Sequence, residues 1–125
     1  VPQMREADRG DIVMISSIAA QSFGPTGGTY AAAKAAMEAL AFSLAKEERG
    51  NNIHVNIVAP GLIETDMADM MVKFQGRVTD SIAELADESP FGRLGSPDDI
   101  AGAVAFLCSA RASYITNQRI TVAGG

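Results

Sequence analysis

Several residue types are scarce in this sequence. Tryptophan is absent, and cysteine and histidine occur once each. The single cysteine, Cys108, excludes an internal disulfide and is typical of a reducing compartment, so we expect a cytoplasmic location. Near the end of an apolar helical segment, its side chain is expected to be a small buried hydrophobe. His54 is expected to be structural or exposed, and no His, Cys and carboxylate cluster has the spacing of a metal site.

Charge and hydropathy exclude further classes of function. Residues 12–33 carry no charge, but Ser, Gly, Thr, Gln and Pro interrupt them too often for a membrane span. The net charge of −5, without a Lys/Arg cluster, argues against nucleic acid as the main partner. An apolar content of 47% and a charged content of 20% are typical of a globular protein with a real core.

The length of 125 residues allows one domain at most, or part of one. The chain starts at Val1 without a methionine, and its first seven residues are typical of a helix already under way. We therefore expect a truncated chain whose residues 1–125 are part of a single domain.

The order of predicted elements indicates an α/β fold. Apolar runs predict buried strands at 11–16, 53–59 and 119–122, and helical spacing predicts helices over about 30–49 and 97–109. Alternating strands and helices imply a parallel sheet with covering helices. In such sheets, ligands bind beyond the carboxyl ends of the strands.

Local signals set the predicted boundaries of these elements. Residues 17–29 predict a loop, Thr29 a helix N-cap, and Ser96-Pro97-Asp98-Asp99 a second capped helix start. On the first helix, an apolar stripe is expected from Ala33, Met37, Leu40, Ala41 and Leu44. Weak amphipathic stretches lie around 66–74 and 78–87, where Met67, Met70 and Met71 could form a substrate lid.

Tyr30 and Lys34 are the most informative residues. Lys34 is the only charged residue between Asp11 and Glu38. Four residues apart on a helix, the phenol and the ammonium share one face, where a positive charge favours the phenolate. The pair is therefore a candidate proton-transfer site. Taken alone, the same pattern is also compatible with a surface tyrosine and a solvated lysine on an Ala-rich helix.

Six blocks in order resemble the short-chain dehydrogenase/reductase family, and together they cover essentially the whole chain. The blocks are Ile-Ser-Ser at 15–17, Tyr-Ala-Ala-Ala-Lys at 30–34, Val-Asn-Ile-Val-Ala-Pro-Gly at 55–61, Ile-Glu-Thr-Asp-Met at 63–67, Gly-Arg-Leu-Gly-Ser-Pro-Asp-Asp-Ile at 92–100 and Tyr-Ile-Thr-Asn-Gln at 114–118. The blocks most resemble 3-oxoacyl-carrier-protein-reductase-like and sugar or polyol dehydrogenase members. Asn117 stands where the family usually has glycine.

The resemblance implies catalytic roles for three residues. Tyr30 would be the general acid/base, Ser17 would hydrogen-bond the substrate oxygen, and Lys34 would bind the nicotinamide ribose and favour the phenolate. The cofactor would be NAD or NADP. By the same resemblance, the cofactor-binding residues would be Ile15, Tyr30, Lys34, Pro60, Gly61, Ile63 and Thr65.

The resemblance also implies which part of the fold is present. The family's Gly-rich fingerprint does not occur in the chain, so we expect the C-terminal half of a doubly wound Rossmann-type sheet, with the N-terminal half missing. The strand at 11–16 would then have an unpaired edge. We therefore expect a homo-oligomer, dimeric or tetrameric as is usual in the family, or association with the missing half.

Two functions remain open from the sequence. One is an NAD(P)-dependent oxidoreductase acting on a small carbonyl or secondary alcohol, with segment 66–91 selecting the substrate. The other is a catalytically incompetent folded fragment that acts only as an oligomerising or interaction module.

Overall fold

Three parallel strands form one sheet in the order β1-β2-β3. The computed structural model describes residues 1–22, 24–25, 27–65, 86, 89 and 91–125. The strands are β1 (Gly10–Ile15), β2 (Ile53–Pro60) and β3 (Arg119–Val122). The predicted strands are therefore confirmed to within one residue at each end, as is their parallel pairing.

β2 is the centre of the sheet and of the core. Every residue from 53 to 59 is buried, because β2 has a strand on each side and helices pack against it. Two of these residues, His54 and Asn56, are polar, and their side chains make hydrogen bonds with the segment before β3. His54 lies with Nδ1 3.1 Å from the Ile115 carbonyl oxygen, and Asn56 donates from Nδ2 to the same oxygen at 3.0 Å. His54 is thus structural, as predicted.

The register aligns the carboxyl ends of all three strands. Ile15 pairs with Val58, and Pro60 pairs with Val122. The strands therefore finish within a few residues of one another at one edge, which we call the carboxyl edge. Within the described residues β1 pairs only with β2, which leaves β1 at the side of the sheet, as expected.

The long helix α2 (Gly28–Glu48) starts earlier than predicted and follows a short helix, α1 (Ala19–Ser22), within the expected loop. The predicted N-cap at Thr29 is wrong. The Gly27 carbonyl already accepts from the Ala31 N–H at 2.9 Å, so helical bonding begins two residues sooner. Glycine is a tolerated N-cap even without a side chain to accept a hydrogen bond.

The buried face of α2 also differs from the predicted apolar stripe. Ala41 is buried against β2, but Ala33 and Leu40 are exposed. The residues that α2 buries are Ala31, Glu38, Ala41, Ala45 and Glu48. Alanines lie on every side of this helix, so hydrophobic spacing did not define one face, and buried glutamates took two of the inward positions.

Glu48 closes the end of α2 against the N-terminal segment. Arg5, in the 3-10 helix Pro2–Glu6, donates from Nε to Glu48 Oε2 at 2.9 Å. This hydrogen-bonded guanidinium lowers the pKa of the Glu48 carboxyl, which is buried, and the same contact raises the pKa of Arg5. After a turn of 3-10 helix, Asn52 ends the connection in the left-handed region with φ 54°.

Helix α3 (Pro97–Leu107) begins at the predicted cap. Ser96 accepts from the Asp99 N–H at 3.3 Å, and Asp99 Oδ2 accepts from the Ser96 N–H at 2.7 Å. This reciprocal pair is a capping box. The helix ends at Leu107 rather than near Ser109. Leu107 is buried, whereas Cys108 is exposed, so the expected burial of the thiol is wrong. Consecutive residues at a helix end point in different directions, and only Leu107 faces the core.

The turn before β3 explains one departure from the family pattern. Asn117 has φ 60°, in the left-handed region that glycine adopts freely and asparagine adopts more readily than most residues. Asparagine can therefore replace the usual glycine in this turn.

Two expectations concern residues that lie outside the description. The first is the pair of amphipathic stretches around 66–74 and 78–87, of which the structure describes only Ala86. The second is the substrate lid of Met67, Met70 and Met71. Among the described residues, no helix has the length and apolar content that crossing a membrane requires.

Removing the cap of α3 should destabilise the fold. Ser96→Ala loses the hydroxyl that the Asp99 N–H donates to, so the free energy of unfolding should fall by about 1 kcal/mol. Urea unfolding followed by circular dichroism measures this change. Ser113→Ala, at an exposed serine, is the control, and equal effects of the two substitutions would contradict the role of the cap.

Asp99 should make stability depend on pH. The Arg93 guanidinium and the Ser96 hydrogen bonds hold the pKa of Asp99 well below its ordinary value. Because its folded-state pKa is lowered, ionised Asp99 stabilises the folded chain above about pH 4, the ordinary pKa of an aspartate in the unfolded chain. This stabilisation is lost as the pH falls below that value. The urea midpoint should therefore drop more steeply below about pH 5 in the parent than in Asp99→Asn. Asp98→Asn, a change at an exposed carboxylate in the same turn, should follow the parent curve.

Candidate active site

Tyr30 and Lys34 lie in the first turns of α2, next to the end of β1. Lys34 Nζ donates a hydrogen bond to the Ile15 carbonyl oxygen at 2.9 Å, which ties α2 to the last residue of β1. The same Nζ lies 5.7 Å from the centre of the Tyr30 ring. The Tyr30 side chain is 43% exposed, so its phenol is accessible beside a fixed cation. The structure thus brings this predicted pair together on one face.

Ser17 lies just beyond β1 with its hydroxyl oxygen oriented by the backbone. Ser17 Oγ accepts from the Ala19 N–H at 3.1 Å. Its carbonyl oxygen accepts from the Ala20 N–H at 3.1 Å and from Arg119 Nη2 at 3.2 Å. Among the described residues, the hydroxyl hydrogen of Ser17 has no acceptor.

Pro60 and Gly61 place the end of β2 at the same carboxyl edge. The Pro60 carbonyl accepts from the Ile18 N–H at 3.0 Å, directly after Ser17. The Gly61 N–H donates to Val122 at 2.9 Å, and a Cβ at Gly61 would lie 2.7 Å from Ala123 Cβ. The close approach of the chain after β3 therefore requires glycine here for packing, whatever else the position does.

Ile63 and Thr65 lie in the segment that follows β2. Ile63 forms an isolated parallel bridge with Gly95, and the Glu64 N–H donates to the Gly95 carbonyl at 2.8 Å. Thr65 is exposed, and its Oγ1 donates to the Ile63 carbonyl at 3.4 Å. These contacts join the segment after β2 to the start of α3.

A cavity of about 160 Å³ lies beside the carboxyl edge, between Leu62, residues 91–95 and residues 122–124. Ser17, Tyr30 and Lys34 do not line it. In the part of the chain that the structure describes, no group of three His, Cys or carboxylate residues could hold a metal ion.

The structure adds a buried ion pair that the sequence analysis missed. Arg119 Nε donates to Glu38 Oε1 at 2.9 Å, and the two side chains are 13% and 6% exposed. Ser16 Oγ donates to the same Glu38 oxygen at 2.6 Å. One signal was available, because Glu38 follows Lys34 by four residues and so continues the line of Tyr30 and Lys34 along α2.

Sequence comparison relates the whole chain to known reductases. The family model described as Enoyl-(Acyl carrier protein) reductase matches residues 1–125. Dehydrogenase/reductase SDR family member 4 from Bos taurus is 41% identical over 125 residues, which are all of this chain and 43% of that protein. The 3-oxoacyl-(acyl-carrier-protein) reductase FabG from Chlamydia pneumoniae is 42% identical over 127 residues, covering all of this chain and 48% of that protein.

Solved structures agree with the sequence relatives. A 7 alpha-hydroxysteroid dehydrogenase complexed with NADH and 7-oxo glycochenodeoxycholic acid superposes with a TM-score of 0.87 at 38% identity, covering 99% of this chain and 47% of that one. L-sorbose reductase from Gluconobacter frateurii, complexed with NADPH and L-sorbose, gives a TM-score of 0.87 at 33% identity, covering 99% of this chain and 49% of that one.

The matched proteins are longer than this chain, which spans a little under half the length of the relatives named above. Within that span, three observations agree with one another. They are the order of the strands, the Ser, Tyr and Lys residues at the carboxyl edge, and the match along the entire chain. By these observations together, the chain belongs to the short-chain dehydrogenase/reductase family.

Proposed function

We propose that this chain provides the proton-transfer site of an NAD(P)-dependent oxidoreductase that interconverts a small carbonyl compound and a secondary alcohol. The observation that carries this proposal is the exposed phenol of Tyr30 beside the Lys34 ammonium at the carboxyl edge, with Nζ 5.7 Å from the ring centre. Ligands of parallel α/β sheets bind at this edge.

Tyr30 is the proposed general acid/base. In the direction of reduction, its hydroxyl gives a proton to the substrate oxygen as hydride reaches the carbonyl carbon. In oxidation, the phenolate takes that proton back. The hydrogen bond from Lys34 to the Ile15 carbonyl fixes where the positive charge of the ammonium lies.

Ser17 is the proposed hydrogen-bond donor to the substrate oxygen. Its Oγ already accepts from the Ala19 N–H, which leaves the hydroxyl hydrogen to point at a ligand. A donor in this place would hold the carbonyl for hydride attack and stabilise the negative charge that develops on its oxygen.

The residues present fit the nicotinamide end of a dinucleotide. The bound cofactor supplies or accepts the hydride. One hydrogen of the Lys34 ammonium is used by Ile15, and the others can be donated to ribose hydroxyls. Ile15, 42% exposed, and Pro60 and Gly61 border the same edge. We assign Ile63 and Thr65 to this cofactor stretch by family resemblance.

The ligands named for the related structures include both NADH and NADPH, so they favour neither nucleotide over the other. The 7 alpha-hydroxysteroid dehydrogenase is complexed with NADH, and the L-sorbose reductase with NADPH. We therefore propose NAD or NADP for the whole protein, a small-molecule substrate, and self-association or pairing with the remaining half of the fold. The alternative of a non-enzymatic interaction module has no support, because the named relatives are reductases and dehydrogenases.

Replacing the general acid/base should slow turnover strongly without preventing binding. Tyr30→Phe removes only the hydroxyl, so kcat should fall by about 10²- to 10⁴-fold, the usual contribution of general acid–base catalysis. The measurement is carbonyl-dependent oxidation of NADH and NADPH. Tyr114→Phe, at the fully exposed second tyrosine, is the matched control and should behave like the parent. Equal rates for Tyr30→Phe and the parent would contradict the assignment.

Removing the Lys34 charge should weaken nucleotide binding. Lys34→Met keeps the aliphatic stem but loses a charge-assisted hydrogen bond of about 1.5–3 kcal/mol, which corresponds to a roughly 10- to 150-fold higher Kd. Nicotinamide fluorescence with NADH and NADPH measures the change. Lys46→Met changes an exposed lysine near the other end of α2 and should have no effect. If the parent chain binds neither nucleotide, the proposal of cofactor binding by this chain alone is wrong.

A further inference from the structure

Three consecutive residues at the end of β1 are each held by a different charged side chain. Lys34 donates to the Ile15 carbonyl at 2.9 Å, Glu38 accepts from Ser16 Oγ at 2.6 Å, and Arg119 donates to the Ser17 carbonyl at 3.2 Å. Lys34 and Glu38 are one turn apart on α2, the helix that also bears Tyr30. The proposed substrate-orienting serine is thus tied to the helix of the proposed acid/base.

Glu38 is the centre of this arrangement. One of its oxygens accepts from both Ser16 and Arg119, and only 5% of the residue is exposed. Arg119 uses all three of its nitrogens, which donate to Glu38, Thr121 and the Ser17 carbonyl. A planar guanidinium can make these contacts together, whereas an ammonium cannot match their geometry.

General stability is a poor explanation for these charges. A buried ion pair loses hydration on folding, and well-packed apolar residues of similar volume are often as stable or more so. Apolar neighbours are plentiful here, because Ala41 and Ala45 lie on the same buried face of α2. Buried polar groups do, however, fix a single arrangement of the elements that they join.

We infer that Glu38 and Arg119 are positioning residues that hold Ser17 in register with Tyr30. This inference rests on the proposed function, in which those two residues act on the same substrate oxygen. Arg119 fixes the Ser17 carbonyl, and Glu38 fixes both Arg119 and Ser16, the residue before Ser17. The Ser17 hydroxyl oxygen then stays in place to accept from the Ala19 N–H and to present its hydrogen to the substrate.

The chain offers a matched pair of substitutions on one helix. Glu38 and Glu48 are both buried glutamates of α2 paired with an arginine, but Glu48 pairs with Arg5 at the far end of the helix. Glu38→Gln and Glu48→Gln therefore make the same chemical change at two distances from Ser17. Amide hydrogen exchange of the free chain, read at Ala19 by NMR, reports on the Ser17 segment without any cofactor.

Glu38→Gln keeps an oxygen that can accept from Ser16 and Arg119 but removes the negative charge that strengthens both hydrogen bonds. Exchange at Ala19 should therefore be faster by roughly tenfold relative to Glu48→Gln. Global unfolding in urea, measured on both variants, corrects for any general loss of stability. Equal exchange at Ala19 in the two variants after that correction would overturn the inference.

Arg119→Lys tests the same inference if Glu38→Gln does not fold. Lysine keeps the charge opposite Glu38 but cannot also donate to Thr121 and Ser17. After correction for global unfolding in urea, exchange at Ala19 should rise relative to Arg5→Lys, which makes the same change at the ion pair with Glu48. Unchanged exchange at Ala19 in Arg119→Lys would contradict a positioning role.

A kinetic measurement separates this inference from the proposed function. In carbonyl reduction, Glu38→Gln should lower kcat by about tenfold or more, since small misplacements in an active site are costly, while KM for the nucleotide stays unchanged. A rise in nucleotide KM with unchanged kcat would overturn the positioning of Ser17. If the parent has no activity, the proposed function of the isolated chain fails, and the exchange measurement still decides whether Glu38 holds Ser17.

Discussion

The parallel pairing of β1 and β3 with β2 is the constraint on which the rest of this structure depends. It aligns Ile15, Pro60 and Val122 at one edge. A chain that leaves a parallel strand must cross back before it enters the next one, so α2 begins near the edge where β1 ends. That return places the first turns of α2, with Tyr30 and Lys34, beside the segment that contains Ser17. Residues separated along the chain thus become neighbours through topology.

One face of α2 carries three chemically different side chains at successive turns. Tyr30 is partly exposed, Lys34 is anchored to a backbone carbonyl, and Glu38 is buried in an ion pair. The exposure of these three residues therefore decreases along α2, from the carboxyl edge towards the interior. The accessible end suits proton exchange with a ligand, while the buried end is rigid because unpaired charges are unfavourable away from water. This gradient connects the packing of the helix to the chemistry proposed at its start.

Local signals predicted much of the fold. The three strands were found within one residue because β-branched apolar runs ended at Gly, Pro or Asn, and α3 was found from the cap at Ser96. The failures occurred where local signals were weak. Thr29 was a good cap by composition, yet Gly27 is the N-cap of α2. Leu40 was assigned to an apolar stripe but is 61% exposed, because an Ala-rich helix has no face that hydrophobicity alone selects.

The sequence by itself determined the element order, the parallel sheet and the pairing of Tyr30 with Lys34, because each depends on spacing along one segment. It could not determine the contacts of Glu38 with Ser16 and Arg119, which span 22 and 81 residues. Nor could it show that Ile63 pairs with Gly95, or that Gly61 is required by Ala123. These depend on how distant segments pack, and hydrophobic periodicity carries no information about which buried charges meet. Only the tertiary structure brings those groups together.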